Sequence, residues 1–295
     1  MICASVERLA EKGLWTTPVI EFLRKDSTVR WLEDLRAESR RSEDETILVL
    51  LAAIRSLDLT LLDGGAVPEA LEEFLTCHSQ TLRPVCLTRR VQANVAERGL
   101  PLLEFLGTHW GRQRLAVTEL GCSFGLIGRV LVSAPDTLRN FGRYFAPGQQ
   151  RPTALPFVAE YLGIDLDPPD ERWLLACIPL ADLRTRVARF MFEVPASPHV
   201  RVTQGSALDT ALWPQPAPGT HSVVLTSFML YQLDPETRQG LVHKIVDHTT
   251  SCNGTWLNLD VLTDDGRNRF VLQVDGKDEL LFDSDLCRSW GPHGR

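Results

Sequence analysis

The sequence predicts a doubly wound α/β domain behind a helical N-terminal region, and three observations carry that reading. From Leu14 to about Leu106, apolar residues recur at helical spacing. After Gly111, short apolar runs alternate with helical stretches, and the first of these runs ends in a glycine turn that opens a helix. The expected division is therefore a helical region over residues 1–110 and an α/β domain over residues 111–295. At 295 residues and 44% hydrophobic content, the chain can bury one large core or a core plus a smaller attached one.

In the helical region, Val29-Trp31-Leu32-Leu35 and Ile47-Leu50-Leu51-Ile54-Leu57 mark apolar faces, while Glu38, Arg40, Arg41 and Glu43 read as a solvated face and connection. Gly64-Gly65 marks a turn, with Pro68 in the first turn of the next helix. Beyond Gly111, Leu115–Leu120, Tyr161–Leu166, Val200–Val202, Ser222–Thr226 and Thr255–Val261 read as strands. They are short, rich in large apolar residues and bounded by Gly, Pro, Asp or Asn. Their alternation with helices implies right-handed crossovers and a mostly parallel sheet. Arg269–Val274, the Asp275-Gly276 turn and Glu279–Phe282 form an expected β-hairpin at one edge.

Composition narrows the function. Net charge is −7 and the basic residues are scattered, so no footprint for nucleic acid or anionic lipid is present. A small or uncharged substrate, or a protein partner, is expected instead. No window reaches the length of a membrane span and the first residues carry charges, which points to a cytoplasmic protein. The seven cysteines (Cys3, Cys77, Cys86, Cys122, Cys177, Cys252 and Cys287) are dispersed without CxxC spacing and are expected as reduced, structural thiols. His243 and His248 lack the i, i+4 spacing of a helical metal pair, and no carboxylate or histidine cluster calls for a metal.

The chemistry starts at Val117-Thr118-Glu119-Leu120-Gly121-Cys122-Ser123-Phe124-Gly125, a strand, a glycine turn and a helix start. Gly121 and Gly125 let the backbone approach a ligand closely. No Lys-Ser or Lys-Thr follows, which excludes a phosphate loop, and Ser123 occupies the middle position of the dinucleotide fingerprint. Glu119 would repel a pyrophosphate but suits a cation. Downstream, Asp165 and Asp167 end the second strand, where they either cap the next structure or take ligand hydroxyls. Cys122 lies at a helix start but is read as structural, and His221 as a surface residue.

Glu119-Leu120-Gly121-Cys122-Ser123-Phe124-Gly125 and Gly163-Ile164-Asp165-Leu166-Asp167-Pro168 resemble the first two motifs of the class I S-adenosylmethionine-dependent methyltransferases. The resemblance implies a Rossmann-like fold and S-adenosylmethionine as cofactor, held by Glu119, Gly121, Ser123 and Gly125 and, at the ribose, by Asp165 or Asp167. It further implies that Ser206 and Ala207, in Gln204–Asp209, face the adenine, and that Ser227–Gln232 after the fourth strand faces the reacting centre. A closer resemblance, from Arg90 to Asp209, is to an uncharacterised bacterial family of methyltransferase-like proteins with a Q-T-N-E-V segment before the glycine turn and a D-x-R-W-L-x-A segment after the second motif. Here the first reads Gln92-Ala93-Asn94 and Val95, and the second Asp170-Glu171-Arg172-Trp173-Leu174-Leu175-Ala176. Ala93 and Val95 depart from that pattern, as does Cys122-Ser123-Phe124, where the family has small residues.

Gln92 and Asn94, read as helical, lie two apart and do not share a face; Asn94 is the one expected at the cofactor cleft. Trp173 and Trp213 are expected in a core or lid. Among Tyr144, Tyr161 and Tyr231, Tyr231 is expected against the sulfonium, a cation–π attraction of about 0.5–2 kcal/mol. Asn94, Ser227 and Tyr231 are thus the expected catalytic residues, under a helical region acting as a lid. One reading is methyl transfer to a small molecule of bacterial secondary metabolism. A second is internal displacement, in which the cofactor's own amine attacks its γ-carbon to give azetidine-2-carboxylate and methylthioadenosine, as in the azetidine-2-carboxylate synthases. A third is a non-catalytic binding protein. Thr226-Ser227-Phe228-Met229 stands where amine methyltransferases carry Asp-Pro-Pro-Tyr or Asn-Pro-Pro-Tyr, and no His-Asp pair for oxygen methylation is evident.

Overall fold

The computed structural model describes residues 2–11, 15–64, 67–92, 94–264, 267–282 and 290–292. Gly65, Ala93 and Cys287 lie outside these, as does the Cys3 side chain. The chain forms two compact units, Met1–Ala93 with Pro169–Thr185, and Asn94–Pro168 with Arg186–Arg295. This differs from a division at residue 110 in two ways. Residues 94–110 belong to the second unit because the helix Gly99–Trp110 packs on the helix Leu126–Val132: a Cβ on Gly99 would come within 2.6 Å of Val130. Residues 169–185 return to the first unit because Trp173 and Cys177 bury into its apolar core.

That core is built on the helix Glu43–Leu57, whose Ile47, Leu50, Leu51 and Ile54 are fully buried. Its start is fixed by Ser42, which accepts a hydrogen bond from the Glu45 amide at 3.2 Å, a cap that satisfies an otherwise orphaned N–H. Pro68 begins the helix Pro68–Thr88 as expected. Arg41 does not lie on a solvated face. It donates to the carbonyls of Cys86, Leu87 and Arg89 at the end of that long helix, where the last C=O groups lack partners within the helix.

The second unit is a single sheet. Its strands are β1 (Arg114–Leu120), β2 (Phe157–Asp165), β3 (Val200–Gln204), β4 (Thr220–Ser227), β5 (Thr255–Asp264), β6 (Arg267–Val274), β7 (Lys277–Phe282) and β8 (Trp290–Pro292). Their order is β3-β2-β1-β4-β5-β6-β7-β8. The first five are parallel and the last three antiparallel, the Rossmann-like class expected. The edge is larger than one hairpin, because β5 and β6 also pair directly, in register from Leu257↔Val274 to Asp264↔Arg267. At the next turn, Asp275 and Gly276 both have positive φ (47° and 80°), the requirement of a tight hairpin whose twist matches its strands.

A row of side-chain hydrogen bonds ties the parallel strands to this edge. Trp256 Nε1 donates to Thr226 Oγ1 (3.0 Å), Thr226 to Asn258 Oδ1, Asn258 Nδ2 to Gln273 Oε1 and Gln273 Nε2 to Asp278 Oδ1, the last three at 2.8 Å. Each of these polar groups is satisfied by its neighbour, so β4 to β7 hold one register. Sequence order reverses between β1 and β4, and the carboxyl ends of those two strands make the crevice where such sheets bind ligands. Among the described residues, no helix is long and apolar enough to cross a membrane.

Candidate functional site

At the carboxyl end of β1 the chain turns sharply. Gly121, Ser123 and Gly125 have φ of +73°, +53° and +73°, so the turn alternates into the left-handed region that glycine enters at no steric cost. The turn is pinned to β2 on both sides of its strand end. The amides of Gly121 and Cys122 donate to the Ile164 carbonyl, and the Ser123 amide donates to Asp165 Oδ2 at 2.8 Å. The other Asp165 oxygen accepts from the Asp167 amide at 3.0 Å. Asp165 thus shapes the turn and keeps spare lone pairs on both oxygens. Asp167 stands half-buried just beyond it.

Cys122 is fully buried and packs over Gly163, where a Cβ would come within 2.4 Å of its Sγ. Burial pushes its thiol far above the ordinary range, in keeping with a structural role. Phe124 carries the Arg129 guanidinium 4.9 Å from its ring centre. The space around Gly121 is filled by protein: a Cβ there would meet Met229 Cγ at 2.6 Å. At Gly125 it would meet Val202 at 2.8 Å. The positive φ and the neighbouring Met229 and Val202 side chains each favour glycine at these two positions.

Glu119, wholly buried in β1, accepts a hydrogen bond from the Tyr161 hydroxyl on β2. Its second oxygen, Oε1, has no partner among the described residues. Burial pushes the Glu119 carboxyl up to about 8; the Asp165 charge adds to the rise, while the Tyr161 hydrogen bond and the more distant Arg98 charge oppose it. Tyr161, one of three candidate sulfonium aromatics in the sequence, is the partner of this acid.

The segment before the 3₁₀ turn Ala96–Arg98 forms another side of the site. It is extended rather than helical, with Val95 at φ −135° and ψ 142°. Asn94 is buried against the glycine turn, its Nδ2 donating to the Cys122 carbonyl at 2.9 Å and its Oδ1 without a partner among the described residues. Gln92, in the other unit, donates its backbone amide to Cys177 Sγ. Arg98 lies 3.9 Å over the Phe228 ring. Next to it, Glu97 is 1% exposed, with Arg186 Nε 3.8 Å away, and burial pushes its carboxyl up to about 7.

At the end of β4, Ser227 is buried with its Oγ without a partner among the described residues, and Phe228 takes a positive φ of 53° while its amide donates to the Leu259 carbonyl at 2.8 Å. Ser123 Oγ is likewise buried, with no partner among the described residues. Tyr231 stands apart on the turn Leu230–Gln232, 54% exposed, where water screens its ring from a cation. Tyr144 is buried against Phe145 and Phe190 instead. At the carboxyl end of β3, Ser206 Oγ accepts from the Leu208 amide at 3.1 Å, and Ala207 packs against the core around Leu120, Ile164 and Trp213.

His221 lies at the opposite end of β4, its ring 5.0 Å from that of Trp110 and its Nε2 3.0 Å from Thr255 Oγ1. No group of three metal-ligating side chains occurs among the described residues. Of the residues that the sequence singles out, the structure brings Asn94, Glu119, Ser123, Asp165 and Ser227 to the ends of β1, β2 and β4. It also brings Arg98, Phe228 and Met229, which sequence reasoning passed over. Phe228 and Met229 lay within the singled-out Ser227–Gln232 segment, whereas nothing in the sequence marks Arg98.

Residues 37–294 match the family described as an uncharacterized protein conserved in bacteria (DUF2332), and the chain belongs to that family. No curated protein matches it. Among solved structures it is similar to an O-methyltransferase family protein from Burkholderia thailandensis (16% identity, 85% of this chain and 55% of that one, TM-score 0.32). It is also similar to the rRNA methyltransferase aviRa from Streptomyces viridochromogenes (12%, 63% and 86%, 0.32) and to the glycopeptide N-methyltransferase MtfA (13%, 62% and 67%, 0.30). The chain spans 48%, 55% and 59% of the length of the first three solved structures it matches. TM-scores of this size are too low to carry chemistry from those proteins to this one.

Proposed function

We propose that this member of a bacterial family binds S-adenosylmethionine at the carboxyl ends of β1, β2 and β4 and transfers its methyl group to a small molecule. The observation that carries the reading is a set of buried oxygens at the switch point of the sheet without partners among the described residues: Glu119 Oε1, Asn94 Oδ1, Ser123 Oγ and Ser227 Oγ. Unmade hydrogen bonds of buried polar groups cost about 1–3 kcal/mol each, so a cluster of them at a binding crevice favours a ligand that supplies donors. An amino acid ammonium and a ribose are such ligands.

Asp165 or Asp167 would take ribose hydroxyls, with Asp165 already held in place by the Ser123 and Asp167 amides. Glu119 would ionise toward a cation, steadied by the Tyr161 hydroxyl. Asn94 and Ser227 would orient the amine or an acceptor at the end of β4. Ser206 and Ala207 would border the adenine. Bound there, S-adenosylmethionine supplies an electrophilic methyl group. The net charge of −7 supports a small acceptor over a nucleic acid.

Incubation of the protein with S-adenosylmethionine, with and without candidate acceptors, followed by mass spectrometry of the products, tests this. Acceptor-dependent S-adenosylhomocysteine is the expected result. Methylthioadenosine formed with no acceptor present would replace methyl transfer by internal displacement, and absence of cofactor binding in a calorimetric titration would remove both.

A further inference from the structure

We propose that the helical unit carries a second binding site, for a small carboxylate, on Arg55 and Trp15. Arg55 lies in the helix Glu43–Leu57 and is 1% exposed. Its Nη1 donates to the Ala176 carbonyl at 2.7 Å. Its Nε and Nη2 are buried with no partner among the described residues. In a planar guanidinium these two groups point their N–H bonds in parallel along one edge, the fork that receives both oxygens of a carboxylate. The guanidinium carbon lies 5.0 Å from the centre of the Trp15 ring, and Trp15 Nε1 is a third buried donor without a partner among the described residues. The set is all donors, so another donor-rich or apolar group would leave it unsatisfied.

Charge points the same way. Arg184, also buried, donates to the carbonyls of Ile178 (2.8 Å) and Pro179 (3.2 Å) and is ion-paired to Asp63. Two guanidinium groups thus face one carboxylate and leave a surplus of one positive charge in a desolvated place, which is costly unless an anion answers it. Desolvation, with the Arg184 charge, pulls the Arg55 pKa down to about 10 against the opposing effects of Asp63 and Cys177, and Arg55 stays charged at neutral pH. A monovalent carboxylate cancels the surplus and can accept from all three donors; a divalent phosphate overshoots it by one charge. Trp15 is only half-buried, which leaves its side of the donor set near solvent.

The full chain, titrated calorimetrically with sodium acetate in place of chloride at constant ionic strength, tests the site, with inorganic phosphate as the parallel arm. Saturable acetate binding is expected. Trp15→Phe, which keeps the ring and removes one N–H, should raise the apparent Kd about tenfold, and Arg55→Met should abolish saturation. Because Arg55→Met removes a buried structural group, Trp15→Phe decides if that variant fails to fold. No saturable acetate response, an equal response in Trp15→Phe and the parent, or saturation by phosphate but not by acetate would each overturn the proposal.

Discussion

At the scale of single residues, Glu119 determines how the site responds to pH. Burial pushes its carboxyl from the ordinary 4.5 up to about 8 in the folded protein. Because the folded-state value is raised, its contribution to stability is complete below about pH 4.5 and is lost as pH rises through 8. A cationic ligand reverses the preference, since it favours the ionised acid. Affinity for S-adenosylmethionine should therefore rise with pH up to about 8 and level off above it, with most of a proton released on binding at pH 7. Titrations in buffers of different ionisation enthalpy check this; pH-independent affinity would separate Glu119 from the cofactor. Tyr161→Phe removes the hydrogen bond that lowers the acid's pKa, so the inflection should move to higher pH. At Asp165 two effects meet. Asp165→Ala leaves the Ser123 and Asp167 amides without their acceptor and should destabilise the domain by about 1–2 kcal/mol. It should also weaken cofactor binding by about 1.5–3 kcal/mol, the range for hydrogen bonds to a charged group. Comparing the affinities of Asp165→Ala and Asp167→Ala identifies which residue takes the ribose.

At the scale of elements, the glycine turn shows what local sequence reveals and what it hides. Its position was legible because a strand, a pair of spaced glycines and an apolar helix follow in one run of residues. What Gly121 faces was not legible, because Met229 arrives from the loop after β4, more than a hundred residues later. Gly121→Ala combines a positive φ of 73° with a 2.6 Å approach to Met229 Cγ, and should cost about 2–4 kcal/mol of stability. Met229→Ala in the same protein should recover the overpacking part and leave the backbone part. A double-mutant cycle by chemical denaturation measures the coupling, and additivity of the two changes would show that Met229 is not the obstacle. The same limit explains Asn94. Its segment reads as helical from spacing, but its amide bonds to a turn carbonyl across a sequence gap that periodicity does not sense. The place of Tyr231 after β4 is legible in the sequence, whereas its exposure depends on the turn Leu230–Gln232.

At the scale of the molecule, helical periodicity identifies an apolar face but not the core that receives it, and this explains the misplaced boundary at residue 110. Leu100, Leu102, Leu103 and Leu106 give the helix Gly99–Trp110 an apolar surface like those of the preceding helices, yet it belongs to the sheet unit. The reverse holds for Trp173 and Cys177, which follow β2 in sequence and belong to the helical core. The chain thus leaves the sheet unit after Pro168 and re-enters it at Arg186, and neither unit is a single stretch of sequence. Three fragments test this. One spanning 111–295 loses the helix Gly99–Trp110; at about 1.5–3 kcal/mol for each fully buried leucine, the loss rivals the whole stability of a domain. It should fail to unfold cooperatively. A fragment spanning 94–295 keeps that helix but strands the apolar face of 169–185, and should fold while aggregating and binding a hydrophobic dye. Replacing 169–185 in it by a flexible Gly/Ser linker of the same length should remove the dye binding and keep a cooperative transition by circular dichroism. Equal stability of the 111–295 and 94–295 fragments would return the boundary to residue 110.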